Sequence, residues 1–311
     1  MNTFSIVIVT YGRTKELEEL LFSISEQPNI ELLTKIIIVD NHPNNMGEKV
    51  AVNFSNIFNL EYIDNKVNSL THGRSIGFKA TDSDVVIFFD DDIVLEKDYF
   101  SNLISFYKDY PHASGMQGIF DVDKYSKLKN TFNRLFWLFN YTSNDYKVYP
   151  SIQASYGTMP NDVTSCEWFS GTNFSYRKEV LKEIPFDLKL LKYCEGEDID
   201  YSFRVYKKFR NIFINPSCKI KHQAAITSRE IGEEFALMQE VYGIYLLNKL
   251  FPNSKKSKYI YFVSRIGKLL LFFIEILMLR SGSFKNFLIY CKSLKKAYYN
   301  VDIDKFNKDI L

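Results

Sequence analysis

The chain lacks a glycine-rich phosphate cradle. No GxGxxG follows its first strand-like segment and no GxxxxGK[ST] occurs anywhere, which removes the usual dinucleotide and P-loop readings. Glycine and proline are scarce, at 13 and 8 residues, and this excludes collagen-like and low-complexity chains. The four cysteines, Cys166, Cys194, Cys218 and Cys291, show no CxxC spacing. Neither a zinc knuckle nor a disulfide framework is indicated, and reduced thiols in the cytoplasm fit. No basic stretch followed by an apolar run opens the sequence, so no secretory leader is expected.

Long apolar runs are missing too. The most apolar stretch, Ile266–Leu279, is interrupted by Lys268 and Glu275, whereas a membrane-spanning helix needs about 20 apolar residues. Its length suits either a helix lying in the headgroup region or a core helix. Acid is nearly absent from Lys249 to Asn300, where Glu275 stands alone against eleven Lys or Arg. That segment carries +10 in a chain of net charge +2, leaving −8 on the remainder. A basic tail of this kind suits an anionic membrane surface.

What is present is an ordinary globular composition over 311 residues, 46% hydrophobic and 24% charged, enough for a large domain with an appendage. The 16% aromatic content reads mainly as core packing, because most Phe and Tyr lie inside apolar runs. Phe4–Thr10, Lys35–Asp40, Leu60–Asp64 and Asp84–Phe89 have the short β-branched or aromatic pattern of buried strands, and helical periodicities separate them, as in Arg13–Glu26. Strands alternating with helices predict a parallel sheet covered on both faces, with a ligand crevice where Thr10, Asp40 and Asp90 end their strands. Residues 107–164 read as irregular. A helix is predicted from Glu197 to Lys208, short strands at Asn211–Ile214 and Cys218–His222, and only helices after Ser228. The predicted division is 1–225 for the sheet domain and 226–311 for a basic helical region.

The main chemical signal is the triplet Asp90, Asp91 and Asp92 at the end of the fourth run. Three carboxylates delivered together repel one another, and a hard divalent cation such as Mg²⁺ or Mn²⁺ relieves that repulsion while bridging to phosphates. A second acidic group, Glu195, Glu197, Asp198 and Asp200, opens the Glu197 helix. There the negative neighbours would favour a proton-accepting Asp198, although acids at a helix start are also favoured by the dipole alone, and Asp200 with Arg204 could be a plain i,i+4 pair. One base with no evident nucleophile opposite it points to direct displacement with inversion.

In order along the chain, Val9-Thr10-Tyr11-Gly12-Arg13, Ile38-Val39-Asp40-Asn41, Gly73-Arg74-Ser75-Ile76-Gly77, Phe89-Asp90-Asp91-Asp92, Trp168-Phe169-Ser170-Gly171-Thr172-Asn173 and Glu195-Gly196-Glu197-Asp198 resemble the motifs of the inverting glycosyltransferases of family 2. The similarity covers about Phe4 to His222. It implies an α/β GT-A nucleotide-diphospho-sugar transferase fold, a Rossmann-like mixed sheet flanked by helices, here with a C-terminal helical extension. It also implies an enzyme that moves a sugar from a nucleoside-diphosphate sugar, most readily a UDP-sugar, to a hydroxyl of a lipid-linked cell-surface polysaccharide, at the inner face of the cell membrane.

By that resemblance Asp198 is the catalytic base, while Thr10, Tyr11, Arg13, Asp40, Arg74, Asp90 and Asp91 surround the nucleotide. Asp92 and His222 would hold Mn²⁺ or Mg²⁺, and Trp168, Gly171, Asn173 and Glu197 face the sugars. Two rivals are a sugar nucleotidyltransferase, which normally carries a Gly-rich basic loop that Gly12-Arg13-Thr14-Lys15 only poorly replaces, and an inactive transferase domain acting as a membrane-surface scaffold.

Overall fold

The computed structural model describes residues 3–122, 124–158, 160–223, 232–279, 282–299 and 302–310. The chain divides into two compact units: residues 1–122, 159–193 and 201–229 form the first, and residues 123–158, 194–200 and 230–311 the second. The expected boundary at 225/226 lies outside the described residues.

In chain order the first unit begins with β1 (Phe4–Thr10), α1 (Thr14–Ser25), β2 (Leu33–Asp40), α2 (Glu48–Phe54), β3 (Leu60–Asp64), α3 (Leu70–Lys79), β4 (Val85–Asp90), β5 (Ile93–Leu95), α4 (Tyr99–Asp109) and β6 (Gly115–Phe120). The second unit contributes α5 (Lys127–Leu135), β7 (Asn140–Thr142), β8 (Val148–Tyr149) and β9 (Gln153–Gly157). Then follow β10 (Thr164–Ser165), β11 (Asn173–Arg177), α6 (Lys178–Glu183), α7 (Glu197–Phe209) and β12 (Ile212–His222). Residues 197–200 of α7 group with the second unit. The helices α8 (Glu233–Leu250), α9 (Lys255–Leu277), α10 (Ser283–Tyr299) and α11 (Ile303–Ile310) complete that unit.

The main sheet runs in the order β10-β12-β6-β11-β4-β1-β2-β3, with β5 paired to β12. Strands β4, β1, β2 and β3 are parallel, as the alternation of strands and helices predicts. Beyond β4 the sheet becomes mixed, because β11 runs antiparallel to both β4 and β6 while β12 runs parallel to β6. Strand β1 is buried along its whole length and β4 over its first five residues, so both read as continuous apolar runs, as strands covered on two faces do. Helix α1 turns Leu17, Leu20, Leu21 and Ile24 onto the core that Phe4, Ile6 and Ile8 supply. On α3, a Cβ on Gly73 would sit 2.8 Å from Val9 Cγ1, and one on Gly77 would sit 2.3 Å from Val7 Cγ1. The two glycines are what let α3 lie this close to β1.

Register places the site. Thr10 lies opposite Asp40, Val9 opposite Asp90, and Asp40 opposite Asp64. Three acids and a threonine therefore end their strands at one edge, the carboxyl edge where open α/β sheets bind ligands. The segments expected at Asn211–Ile214 and Cys218–His222 are one strand, β12, whose pairing with β6 shifts register between Ile214 and Lys219. Pro216 lies in that break, where no ladder donor is needed.

The second unit holds a small sheet in the order β7-β9-β8 together with α8 to α11. Its core contains a charge: Glu240 on α8 is buried, and its carboxylate pairs with Arg265 Nε on α9 at 2.8 Å. The Arg265 guanidinium lies over the Tyr261 ring, 3.9 Å from its centroid, and also donates to the Ser151 carbonyl at 3.3 Å.

Candidate active site

The triplet at the end of β4 is held by partners of different kinds. Asp91 is buried; it accepts from Thr10 Oγ1 at 2.7 Å and from Arg13 at 2.8 Å. Burial pushes its pKa up to about 6 against the opposing pull of Arg13 and Thr10. Arg13 also reaches Asp92 at 3.1 Å. Burial works against the charge of this guanidinium, but the attraction of Asp91 and Asp92 prevails and holds its pKa above the ordinary value. Asp90 is partly exposed and lies 3.4 Å from Arg74, which is itself buried, donates to the Gly171 carbonyl at 3.0 Å and sits over the Phe174 ring. Desolvation shifts Asp90 upward despite Arg74.

His222 reaches the same place from the far end of β12. It pairs with Ile93 in the β5–β12 ladder, and the neighbouring Gln223 amide donates to the Asp92 carbonyl at 2.9 Å. Its Nε2 lies 3.2 Å from Asp92 Oδ1, and the Phe120 ring flanks the imidazole edge-on. One ligand atom each from Asp90, Asp92 and His222 lie within 4.8 Å of one another. Three carboxylates against Arg13 and Arg74 leave a net negative charge at the strand tip. Two carboxylates and an imidazole are a donor set suited to a divalent ion such as Mn²⁺. The residues present therefore fit the metal that the resemblance implies, and they add Asp90, assigned by that resemblance to the nucleotide, to the group able to hold it.

Asp40 is completely buried. Its carboxylate accepts from the His42 amide at 2.8 Å, the Gly47 amide at 2.7 Å and the Tyr62 hydroxyl at 2.9 Å. Burial and that hydrogen bond raise the Tyr62 pKa beyond its usual range. Asp40 thereby fixes the loop from Asn41 to Gly47. Beside that loop Tyr11 is 37% exposed, and its ring meets His42 edge-on with centroids 5.0 Å apart. Nothing in the sequence marks His42, which belongs to no periodic pattern.

Of the residues assigned to sugar contacts, Trp168 and Asn173 are buried in the first unit, and Gly171 is tied through its carbonyl to Arg74. Glu197, Asp198 and Asp200 occupy the first turn of α7 in the second unit. Asp198 accepts from the Ile199 amide at 2.8 Å, and buried Asp200 pairs with Lys249 at 2.7 Å. Arg204, one turn further on, donates to the Pro185 carbonyl at 3.0 Å.

Comparison with curated proteins finds no match. Among solved structures the chain is similar to S. aureus TarS residues 1–349, with a TM-score of 0.56 and 14% identity, covering 98% of this chain and 85% of that one. It is also similar to TarS 1–349 in complex with UDP-GlcNAc, with a TM-score of 0.60 and 15% identity over 97% and 83% of the two chains. GalNAc-T7 with UDP, GalNAc and Mn²⁺ gives a TM-score of 0.62 at 13% identity, covering 82% of this chain and 49% of GalNAc-T7. At these identities the likeness establishes the fold, the GT-A arrangement of a mixed sheet with helices. The sequence profile of Glycosyl transferase family 2 matches residues 5–185, more than half of the chain. The chain is a nucleotide-sugar glycosyltransferase and belongs to glycosyl transferase family 2.

Proposed function

We propose that this enzyme transfers a sugar from a UDP-sugar, with inversion and with a divalent cation, to a hydroxyl of a lipid-linked cell-surface glycan. The observation that carries the metal-dependent part is the convergence of Asp90, Asp92 and His222 within 4.8 Å at the carboxyl edge of the sheet. The UDP-GlcNAc and Mn²⁺ seen with structures of the same fold support the donor and the ion. Bound there, a divalent ion supplies charge neutralisation for the departing diphosphate.

The protein's own part begins with positioning. Thr10 and Arg13 hold Asp91 and Asp92 in place, and Arg74, anchored on the Gly171 carbonyl, pairs with Asp90. The exposed Tyr11 ring, steadied by His42, offers a flat surface on which the base stacks. Asp40 serves that surface indirectly, by fixing the loop that carries His42. Trp168, Gly171, Asn173 and Glu197 shape the sugar subsites. Asp198 takes the proton from the acceptor hydroxyl, its position in the ED motif at the head of α7 being the support for that role.

The test is turnover of a panel of UDP-sugars with and without Mn²⁺, for the wild type and for Asp92→Asn and Asp198→Asn. Asp92→Asn is expected to lose both metal-dependent UDP binding and turnover. Asp198→Asn is expected to keep binding and lose turnover by about 10³-fold, the scale of a missing general base. Unchanged turnover in both variants refutes the reading. Pyrophosphate release from UTP and a sugar phosphate would replace it with nucleotidyl transfer.

A further inference from the structure

Helix α9 leaves an apolar face exposed. An ordinary surface helix turns its apolar arc to the core, but the buried positions of α9 include Ser257, Ser264, Arg265 and Gly267 alongside Ile260 and Tyr261. Its exposed positions include Tyr259, Phe262, Ile266, Leu270, Phe273 and Leu277. At about 100° per residue these six fall within an arc of roughly 80°, and at about 1.5 Å per residue they run for ~27 Å along the helix. They are far from marginal in exposure: Phe262 is 56%, Phe273 52% and Leu277 68% accessible. A stripe of this kind on a soluble chain marks an interaction surface.

Charge identifies the occupant. Lys255 falls on the same arc and Lys258 and Lys256 flank it, about 40° to either side; all three are exposed. No ion pair engages these three among the described residues. The single acid of the helix, Glu275, falls on the opposite side by the same helical arithmetic. A second copy of the stripe would therefore bring lysines against lysines or against apolar side chains, with no carboxylate to meet them. An anionic bilayer supplies both missing complements, phosphate at the headgroups and hydrocarbon beneath. Among the described residues no helix is long and apolar enough to cross a membrane, so the stripe can lie on a bilayer and not span it.

We infer that α9 docks flat on an anionic lipid surface through the Tyr259–Leu277 stripe, with Lys255, Lys256 and Lys258 on the headgroups. This gives the lipid-linked acceptor of the proposed function a physical basis, but it stands on its own observations and its readout is partition, not turnover.

The test is co-sedimentation of the full chain with phosphatidylcholine vesicles, with and without about 30% phosphatidylglycerol, at about 0.05 M and 0.5 M salt. Binding is expected only to the anionic vesicles and to weaken with salt. Phe273→Ser and Leu277→Ser should each weaken it roughly tenfold, and Lys255→Gln and Lys258→Gln about fivefold each. All four positions face solvent, so the variants should keep the wild-type melting temperature; Leu270→Gln provides a further substitution on the same arc. Recovery in the supernatant with both vesicle types overturns the inference, and so does binding that the stripe variants leave unchanged. A concentration-dependent dimer that Phe273→Ser dissociates, without vesicle binding, assigns the stripe to a second copy and also overturns it. Vesicle binding by a chain that turns over no nucleotide sugar leaves this inference intact while defeating the proposed function.

Discussion

The two units bury charge for opposite purposes. In the sheet unit, apolar strands carry Asp90, Asp91 and Asp92 to an edge where Arg13 and Arg74 compensate them incompletely. In the helical unit, Glu240 and Arg265 sit inside the bundle and answer each other, with Lys268 a further 3.7 Å from Glu240. Residual charge at a strand tip is what a cation or ligand can answer, whereas matched charge inside a bundle is architecture. The contrast also bears on the basic segment. Lys249, Arg265, Lys268, Lys292 and Lys296 spend their charge on Asp200, Glu240 and Glu233 within the unit, so the surface-directed part of the +10 is smaller than the sequence count implies.

The largest expected effect attacks the matched pair. Glu240→Ala leaves Arg265 buried without its carboxylate and should cost about 3–5 kcal/mol, whereas replacing both residues by Met should recover most of it. Chemical denaturation of the full chain, with hydrogen exchange of α8 and α9 to localise the change, checks this. A double variant no more stable than Glu240→Ala would show that the pair is more than a replaceable filling of the bundle.

Next comes the contact that seats α3. Gly77→Ala places a Cβ at the 2.3 Å approach to Val7 Cγ1, and such overpacking costs about 1–3 kcal/mol. Because β1 ends at Thr10, the displacement should also reach the site and weaken metal-dependent UDP binding. A variant with wild-type stability would mean that Val7 has room to move aside.

A third substitution tests the residual charge at the strand tip. Thr10→Val keeps the shape and removes the 2.7 Å hydrogen bond to Asp91. Loss of a bond to a charged group amounts to about 1.5–3 kcal/mol, and the less restrained carboxylate should lower Mn²⁺ affinity measurably by calorimetry. Unaltered affinity would mean that Arg13 alone holds the carboxylate.

The sheet was more legible in the sequence than the bundle, for physical reasons. Strands β1, β2 and β4 are buried over long apolar runs, and α1 has a clean inward stripe, so period and composition agree. Strand β6, Gly-Met-Gln-Gly-Ile-Phe, reads as loop because it carries two glycines and a glutamine. Those glycines are required by close approach, since a Cβ on Gly118 would fall 2.3 Å from the Cys218 carbonyl oxygen. Strands β7 to β9 lie in the stretch 107–164 that reads as irregular, because strands of two to five residues leave no period to detect; the nine-residue helix α5 lies in the same stretch. The acids of the triplet were visible as a cluster. The resemblance already set His222 beside Asp92, but the contact itself is made by the antiparallel return of β12 along β5, a pairing across more than a hundred residues that no local pattern contains. For α9 the apolar residues were plain, but which of its faces met the bundle depended on Glu240, fifteen residues before Lys255.

The smallest expected effect sharpens the contrast through pH. Glu233, at the start of α8, accepts from Lys292 at 2.6 Å and from Lys296 at 3.3 Å on α10, and these contacts depress its pKa below the ordinary glutamate value. A carboxylate with a folded-state pKa below its unfolded one contributes stability that is present above the unfolded pKa and lost as pH falls through the folded one. Glu233→Gln should therefore lower the melting temperature slightly at neutral pH, with the difference from wild type shrinking once the pH drops below about 4. Because all three side chains are exposed, the same difference should also shrink in high salt. The buried Glu240–Arg265 pair should be nearly indifferent to salt. Equal salt sensitivity of the two pairs would show that water reaches the Glu240–Arg265 pair, and the distinction between matched interior charge and solvated surface charge in this unit would fail.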